Sequence, residues 1–167
     1  MSTSSTLPSW VEVAYTLPVL VLSAEVWFFY NHWLLHHPIL YSYCHKVHHE
    51  YTSPIALECL YFHPVETVIN MGVVGFGPVL CNSHIMVLYA WLVLALLAIL
   101  LHHSGYELPA DGSPGVLDSM SHFHDYHHQN YKRCFGVLGI CDKIHGTMEG
   151  YDDHVAKWSQ QSRRGQR

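Results

Sequence analysis

Hydrophobic and polar positions fall along this chain in long blocks rather than short periods. Residues 67–106 pass without one Asp, Glu, Lys or Arg. A single helix of that length would rise about 60 Å, roughly twice the hydrocarbon thickness of a bilayer. The middle of the block reads GVVGFGPVLCNSH, and its glycines with Pro78 offer a place to break the helix. The pattern therefore predicts a hairpin of two membrane helices, over residues 65–79 and 84–101. The second is nearly pure hydrocarbon; the first is short enough to be tilted or to cross only in part. An earlier apolar segment covers residues 10–33, with Pro18 placed to kink it and Glu12 near one end. Glu25 lies deeper and needs a polar partner there. Residues 34–62 and 107–167 are polar enough to meet water, and 158–167 read as a flexible tail. A buried pair of soluble helices is the alternative, but a domain this small has little protein to wrap around it.

Composition sharpens this picture. Half of the 167 residues are hydrophobic and only 13% are charged, against about 25% in ordinary soluble domains. That balance excludes intrinsic disorder. Eight Lys and Arg and a net charge of -5 leave no broad basic surface for nucleic acid. Lys46, Lys132, Arg133, Lys143 and Lys157 all sit in the two polar stretches, which a hairpin would bring to one side of the membrane. The positive-inside rule makes that side cytoplasmic. The five cysteines form no CxxC pair, which argues against a zinc ribbon or a disulfide framework and for buried free thiols. The first nine residues carry no basic side chain and no cleavage signal, so a cleaved signal peptide is poorly supported.

Sixteen histidines are the unusual feature. HWLLHH holds His32, His36 and His37; HKVHH holds His45, His48 and His49; HDYHH holds His124, His127 and His128. Positions i, i+3 and i+4 share a helical face, so each motif is expected to aim several imidazoles at one point. Burying them unpaired is costly, and protonating them together adds repulsion. A bound cation relieves both, since neutral imidazole ligates iron, copper and zinc. HExxH is absent, which disfavours a zinc peptidase. Eight or more candidate rings exceed the ligand set of one ion, so two metals are expected. Iron is chosen for its oxygen chemistry. Two membrane haems are a rival that such triplets fit poorly. The expected fold is all-α, an integral membrane helical bundle with a cytosolic histidine-rich cap.

In order, HWLLHH, HKVHHE, FHPVE, HHSGYELP, HDYHH and a late NY with CDKIHGT resemble the fatty acid hydroxylase superfamily of membrane-bound di-iron oxygenases. HKVHHE, HPVE and HSGYELP resemble the C4-methylsterol oxidases within it; SPIAL at 53–57 is similar to sterol side-chain hydroxylases. The resemblance implies a non-haem centre of two iron ions and molecular oxygen. It also implies electrons from NAD(P)H through cytochrome b5 and an endoplasmic reticulum membrane location with the motifs facing the cytosol. It implies metal ligation by His32, His36, His45, His48, His49, His124, His127 and His128, with His103 of HSGY as a further ligand. His37 and His102 adjoin the motifs as weaker candidates. His84 is set aside, because a helix from it to residue 101 would place it on the opposite membrane face. His63, Glu50, Glu66 and Asp125 are expected to support the ligands by hydrogen bonds.

Two departures stand out. Superfamily members carry more membrane sequence before the first histidine motif, so residues 1–157 read as a single membrane domain lacking an upstream span. Cys141 also stands where these enzymes commonly have Trp. The expected activity is oxidation of a sterol C4 methyl. A side-chain hydroxylase or lipid desaturase is the rival within the same chemistry, and a non-catalytic metal- or lipid-binding homologue lies outside it. A zinc-storage or transport protein is a third class.

Overall fold

A computed structural model describes residues 6–105 and 116–165. In chain order the helices are α1 (Trp10–Leu35), α2 (Pro38–Tyr43), α3 (Pro64–Leu80), α4 (Ile85–His102), α5 (Val116–Gln129), α6 (Ile140–His145) and α7 (Tyr151–Gly165). Short 3-10 helices cover His45–Glu50 and Ala56–Glu58. The described residues form no sheet, so the class is all-α. Residues 106–109 of the HSGYELP motif lie outside the described residues.

Helices α1 and α4 are long and apolar enough to cross a membrane; α3 is apolar but shorter. Their starts are capped by side chains. Ser9 accepts from the Glu12 N–H at 3.1 Å, His63 from Val65 at 3.2 Å and His84 from Met86 at 3.1 Å. Helix α1 runs on through Pro18.

Helix α3 does not break at its glycines or at Pro78. It ends at Leu80, and the chain reverses at Asn82, whose φ is +46°. Gly72 and Gly77 serve close packing against α1 instead, while Gly75 faces open space. A Cβ on Gly72 would lie 2.2 Å from the Trp27 ring, and one on Gly77 would lie 2.3 Å from Ser23 Oγ. Trp27 Nε1–H donates to the Ile69 carbonyl across the same contact at 3.2 Å. Pro78 has no N–H to offer the Val74 carbonyl four residues back. The indole N–H of Trp91 on α4 donates to that carbonyl at 3.1 Å. Bare backbone of one helix is thus matched to a tryptophan of a neighbour at two places.

Leu20, Ala24, Val87 and Trp91 form the apolar core of the helix bundle. Helix α3 packs closely on α1 and only sparsely on α4, which leaves a crevice between the two arms of the hairpin. The acidic residues of α1 both have partners. Glu12 accepts the His84 backbone N–H at 3.2 Å, at the start of α4. Glu25, 1% exposed, accepts from the N–H groups of Val137, Leu138 and Cys141 at 2.8, 2.7 and 3.0 Å.

A second core joins Phe123, Tyr126, Cys134 and Tyr151. The segment expected to be a flexible tail is helical through Gly165, and its first residue, Trp158, lies against His122 with ring centroids 3.8 Å apart. Tyr151, Val155 and Trp158 recur at i, i+4 and i+7, which gives α7 an apolar stripe. The polar residues between them hid it.

Candidate metal centre

The ends of α1 and α4, the His45–Glu50 turn and α5 meet on one side of the bundle and bring nine imidazoles together. Nitrogens of His32, His36, His45, His49 and His127 form one group, and those of His48, His103, His124 and His128 form another. Within each group the facing atoms all lie within 4.8 Å of one another. Eight of the nine residues are buried and His36 is half-buried.

The motifs do not each aim at one point. HKVHH sends His45 and His49 to the first group and His48 to the second; HDYHH sends His127 to the first and His124 and His128 to the second. Successive residues point about 100° apart around an α-helix, so adjacent His127 and His128 cannot converge. In HKVHH and HDYHH the HH pair is therefore shared between two sites side by side.

The geometry inside the first group is that of a ligand cage. Nε2 of His36 lies 3.0, 3.2 and 3.1 Å from the Nε2 atoms of His45, His49 and His127. His49 Nε2 is 3.1 Å from His45 and 3.2 Å from His127. In the second group His124 Nε2 is 2.9 Å from His103 and 3.0 Å from His128. In five of the nine rings the opposite nitrogen fixes the proton. Nδ1–H of His45 donates to Glu66 Oε1 at 2.8 Å, that of His127 to the Arg133 carbonyl at 2.7 Å and that of His32 to the Phe135 carbonyl at 2.7 Å. His103 donates likewise to Ile99 and His128 to Tyr51, each at 2.9 Å. A neutral ring with its proton on Nδ1 turns a bare lone pair inward from Nε2. His32 Nε2 is buried with no hydrogen-bond partner among the described residues.

Crowded lone pairs repel unless a cation sits among them. Imidazole–metal bonds of about 2.0–2.1 Å, as zinc makes, place neighbouring ligand atoms roughly 2.8–3.4 Å apart at angles of about 90–110°, a range that covers the spacings of 2.9–3.2 Å given above. Burial is the main force holding the rings neutral, and the neighbouring imidazoles add to it. His36 is pushed down to about 2 and His103 to about 3, while His45, His48, His49, His124 and His127 fall well below the ordinary histidine range. His128 is lowered by burial to about 4. The donor set is all nitrogen; the free cysteines take no part in either group. The residues thus fit two cations, and the clusters are compatible with a di-iron centre.

The remaining sequence candidates separate. Glu66 receives His45 Nδ1–H on Oε1, and its Oε2 is buried with no hydrogen-bond partner among the described residues. Glu50 instead accepts from the Tyr61 hydroxyl at 3.2 Å, and Asp125 from Gln129 at 2.7 Å, so both carboxylates are turned to partners other than the imidazoles of the two groups. His63 caps α3 and His37 precedes α2, both outside the groups. His84 lies at the far end of α4 from His103. His102 is turned to the Ala98 and Val137 carbonyls at 2.9 and 3.3 Å. Cys141 fills a small core with Phe29 and Phe135. The carbonyls of Tyr51, Ile99, Arg133 and Phe135, which orient four rings, carried no sequence signal, because any residue supplies a carbonyl.

A cavity of about 410 Å³ opens beside the site. Its walls are apolar residues of α1, α3 and α4, among them Phe28, Met71, Val74, Trp91 and Leu96. Its inner end is formed by His32 and His45 from one group and His48, His103 and His124 from the other.

Comparison with known proteins agrees with the geometry. The pattern of the family described as "Fatty acid hydroxylase" matches residues 17–147. The chain belongs to the fatty acid hydroxylase family. It is 42% identical to fatty acid hydroxylase domain-containing protein 2 of Homo sapiens over 156 residues, 89% of this chain and 45% of that protein. Methylsterol monooxygenase 1 of Gallus gallus is 34% identical over 84% of this chain and 48% of its own length. Methylsterol monooxygenase 2-2 of Arabidopsis thaliana is 35% identical over 90% and 59%. The chain therefore spans about half the length of these relatives. No solved structure matches it.

Proposed function

We propose that this chain carries the oxygen-dependent hydroxylation of a membrane lipid at a pair of iron ions, with a C4 methyl of a sterol as the carbon oxidised. The observation that carries the reading is the apolar cavity that ends on imidazoles of both groups. Its size lies within the usual range of ligand pockets, about 300–1,000 Å³. The names of the chicken and Arabidopsis relatives support the sterol.

The nine histidines would hold the metals: His32, His36, His45, His49 and His127 one ion, and His48, His103, His124 and His128 the other. Bound iron supplies oxygen activation and electron storage. The balance is R–H + O₂ + 2 electrons + 2 protons giving R–OH + H₂O, and repeated rounds carry a methyl to aldehyde and carboxylate. The chain keeps its ligands neutral by burial, and Glu66 and the backbone carbonyls fix the direction of the rings. Helices α1, α3 and α4 hold the lipid and exclude water. The crevice between α3 and α4 offers a lateral path from the bilayer. Lys46, Lys132, Arg133 and Lys143 flank the histidine end in sequence, in keeping with a cytosolic face on the endoplasmic reticulum membrane. There cytochrome b5 would deliver electrons from NAD(P)H.

Metal analysis of membrane-purified protein, joined to an oxygen- and reductant-dependent lipid assay, tests this. Two irons per chain and a hydroxylated 4-methyl sterol are expected, with His48→Ala or His127→Ala losing both iron and turnover. Normal iron and turnover in both variants would overturn the ligand assignment. Oxidation of a fatty-acyl lipid alone would overturn the sterol, and bound zinc with no oxidation would overturn the reaction.

A further inference from the structure

We infer that Asp142 is a positioning residue for the five-histidine group, acting through the peptide planes of residues 133–137; the inference rests on the two-site reading above. A trans peptide is rigid, with its C=O and the next N–H pointing in opposite directions. Fixing the N–H therefore aims the carbonyl. The Phe135 carbonyl that receives His32 Nδ1–H shares its peptide with the Gly136 N–H, which donates to Asp142 Oδ2 at 2.7 Å. The Phe135 N–H donates to Asp142 Oδ1 at 2.8 Å, which pins the preceding plane.

The same carboxylate reaches the second ring by one more step. The Arg133 carbonyl that receives His127 Nδ1–H shares its peptide with the Cys134 N–H, which donates to the Thr147 carbonyl at 2.9 Å. Thr147 is tied to Asp142 twice: its N–H donates to the Asp142 carbonyl at 2.9 Å and its hydroxyl to the Asp142 carboxylate. Cys134, between the two planes, sits at φ +56°, a conformation rare for a non-glycine residue. Glu25 continues the pattern by holding the Val137 and Leu138 N–H groups. Gly136 leaves room for both carboxylates, since a Cβ there would lie 2.7 Å from Asp142 Oδ2 and 2.8 Å from Glu25 Oε1. His32 and His127 both belong to the five-histidine group. His103 and His128, of the other group, take carbonyls from Ile99 and Tyr51, outside this segment. Asp142 thus aims the acceptors of two rings of the five-histidine group and of neither His103 nor His128 in the other.

Asp142→Asn keeps the shape but replaces one acceptor oxygen with a donor. Gly136→Ala presses on the same carboxylate without removing charge. Each is made in the full chain, and ¹⁵N-histidine spectra are recorded without metal. The Nδ1–H signals of His32 and His127 are expected to shift or broaden while those of His103 and His128 hold. Titration with ferrous iron is expected to show one site weakened about 10–100-fold, so that limiting metal leaves one ion per chain, and adding His124→Ala removes that one. Unchanged His32 and His127 signals in both variants would overturn the inference. Loss of all four signals together would do the same, because Asp142 would then serve the fold as a whole. A wild-type chain that takes up no iron overturns the two-metal reading instead, and the metal-free spectra still judge Asp142.

Discussion

The pairing of Pro78 with Trp91 gives a sharp energetic prediction. Trp91→Phe keeps a large ring in the core but deletes the N–H that now lies 3.1 Å from the Val74 carbonyl. Leaving a buried carbonyl without that donor costs about 1–3 kcal/mol. Pro78→Ala restores a backbone N–H aimed at the same carbonyl, four residues along the helix. Alone it loses some packing, because Pro78 is fully buried. In the Pro78→Ala background, Trp91→Phe should cost much less, since the helix now satisfies the carbonyl itself. The coupling energy of the double-mutant cycle isolates that difference, because the packing losses of the single changes cancel. A value of about 1–2 kcal/mol is expected. Reversible unfolding of the four proteins in the same mixed micelle measures it. Additive costs, with coupling below about 0.3 kcal/mol, would refute the idea that the indole replaces the missing N–H.

Two further outcomes follow from the site. Glu66→Ala removes the acceptor of His45 Nδ1–H and should weaken metal at the five-histidine site about 10–100-fold; competition with a chelator of known affinity reads this, and an unchanged isotherm counts against the role. The metal-free chain should also lose stability in acid. His36, His103 and His128 fall from 6.5 to about 2, 3 and 4 in the fold, chiefly through burial. Below pH 6.5 the unfolded chain therefore binds protons that the folded chain refuses, so unfolding becomes easier as pH falls toward 4. A melting temperature that stays level from pH 7 to 4.5 would contradict this.

Much of this architecture was legible before any coordinates. The hairpin falls within a residue or two of the expected bounds, because a forty-residue uncharged block leaves few other solutions. Its turn differs in detail, lying beyond the glycines and Pro78 at Asn82. Glycine is permissive in a loop and equally useful where helices touch, and only the partner, Trp27 or Ser23, tells the two apart. The rings of the histidine motifs, His37 apart, gather in the structure, but helical periodicity alone suggests one target per motif. The split between neighbours appears only when α1, α4 and α5 are placed together. Glu25 was legible as a residue in need of partners, whereas the backbone groups that meet it, more than a hundred residues away, were not. Trp158 was lost among the polar residues of α7 for want of a visible stripe.

The division of His127 and His128 between the two groups has a mechanical consequence. A small rotation of α5 about its axis carries His127 and His128 in different directions at once, so neither pocket can be retuned alone by moving that helix. The paired cages behave like two gears on a common shaft, and drift in their spacing must come from the segments that hold the rings from behind.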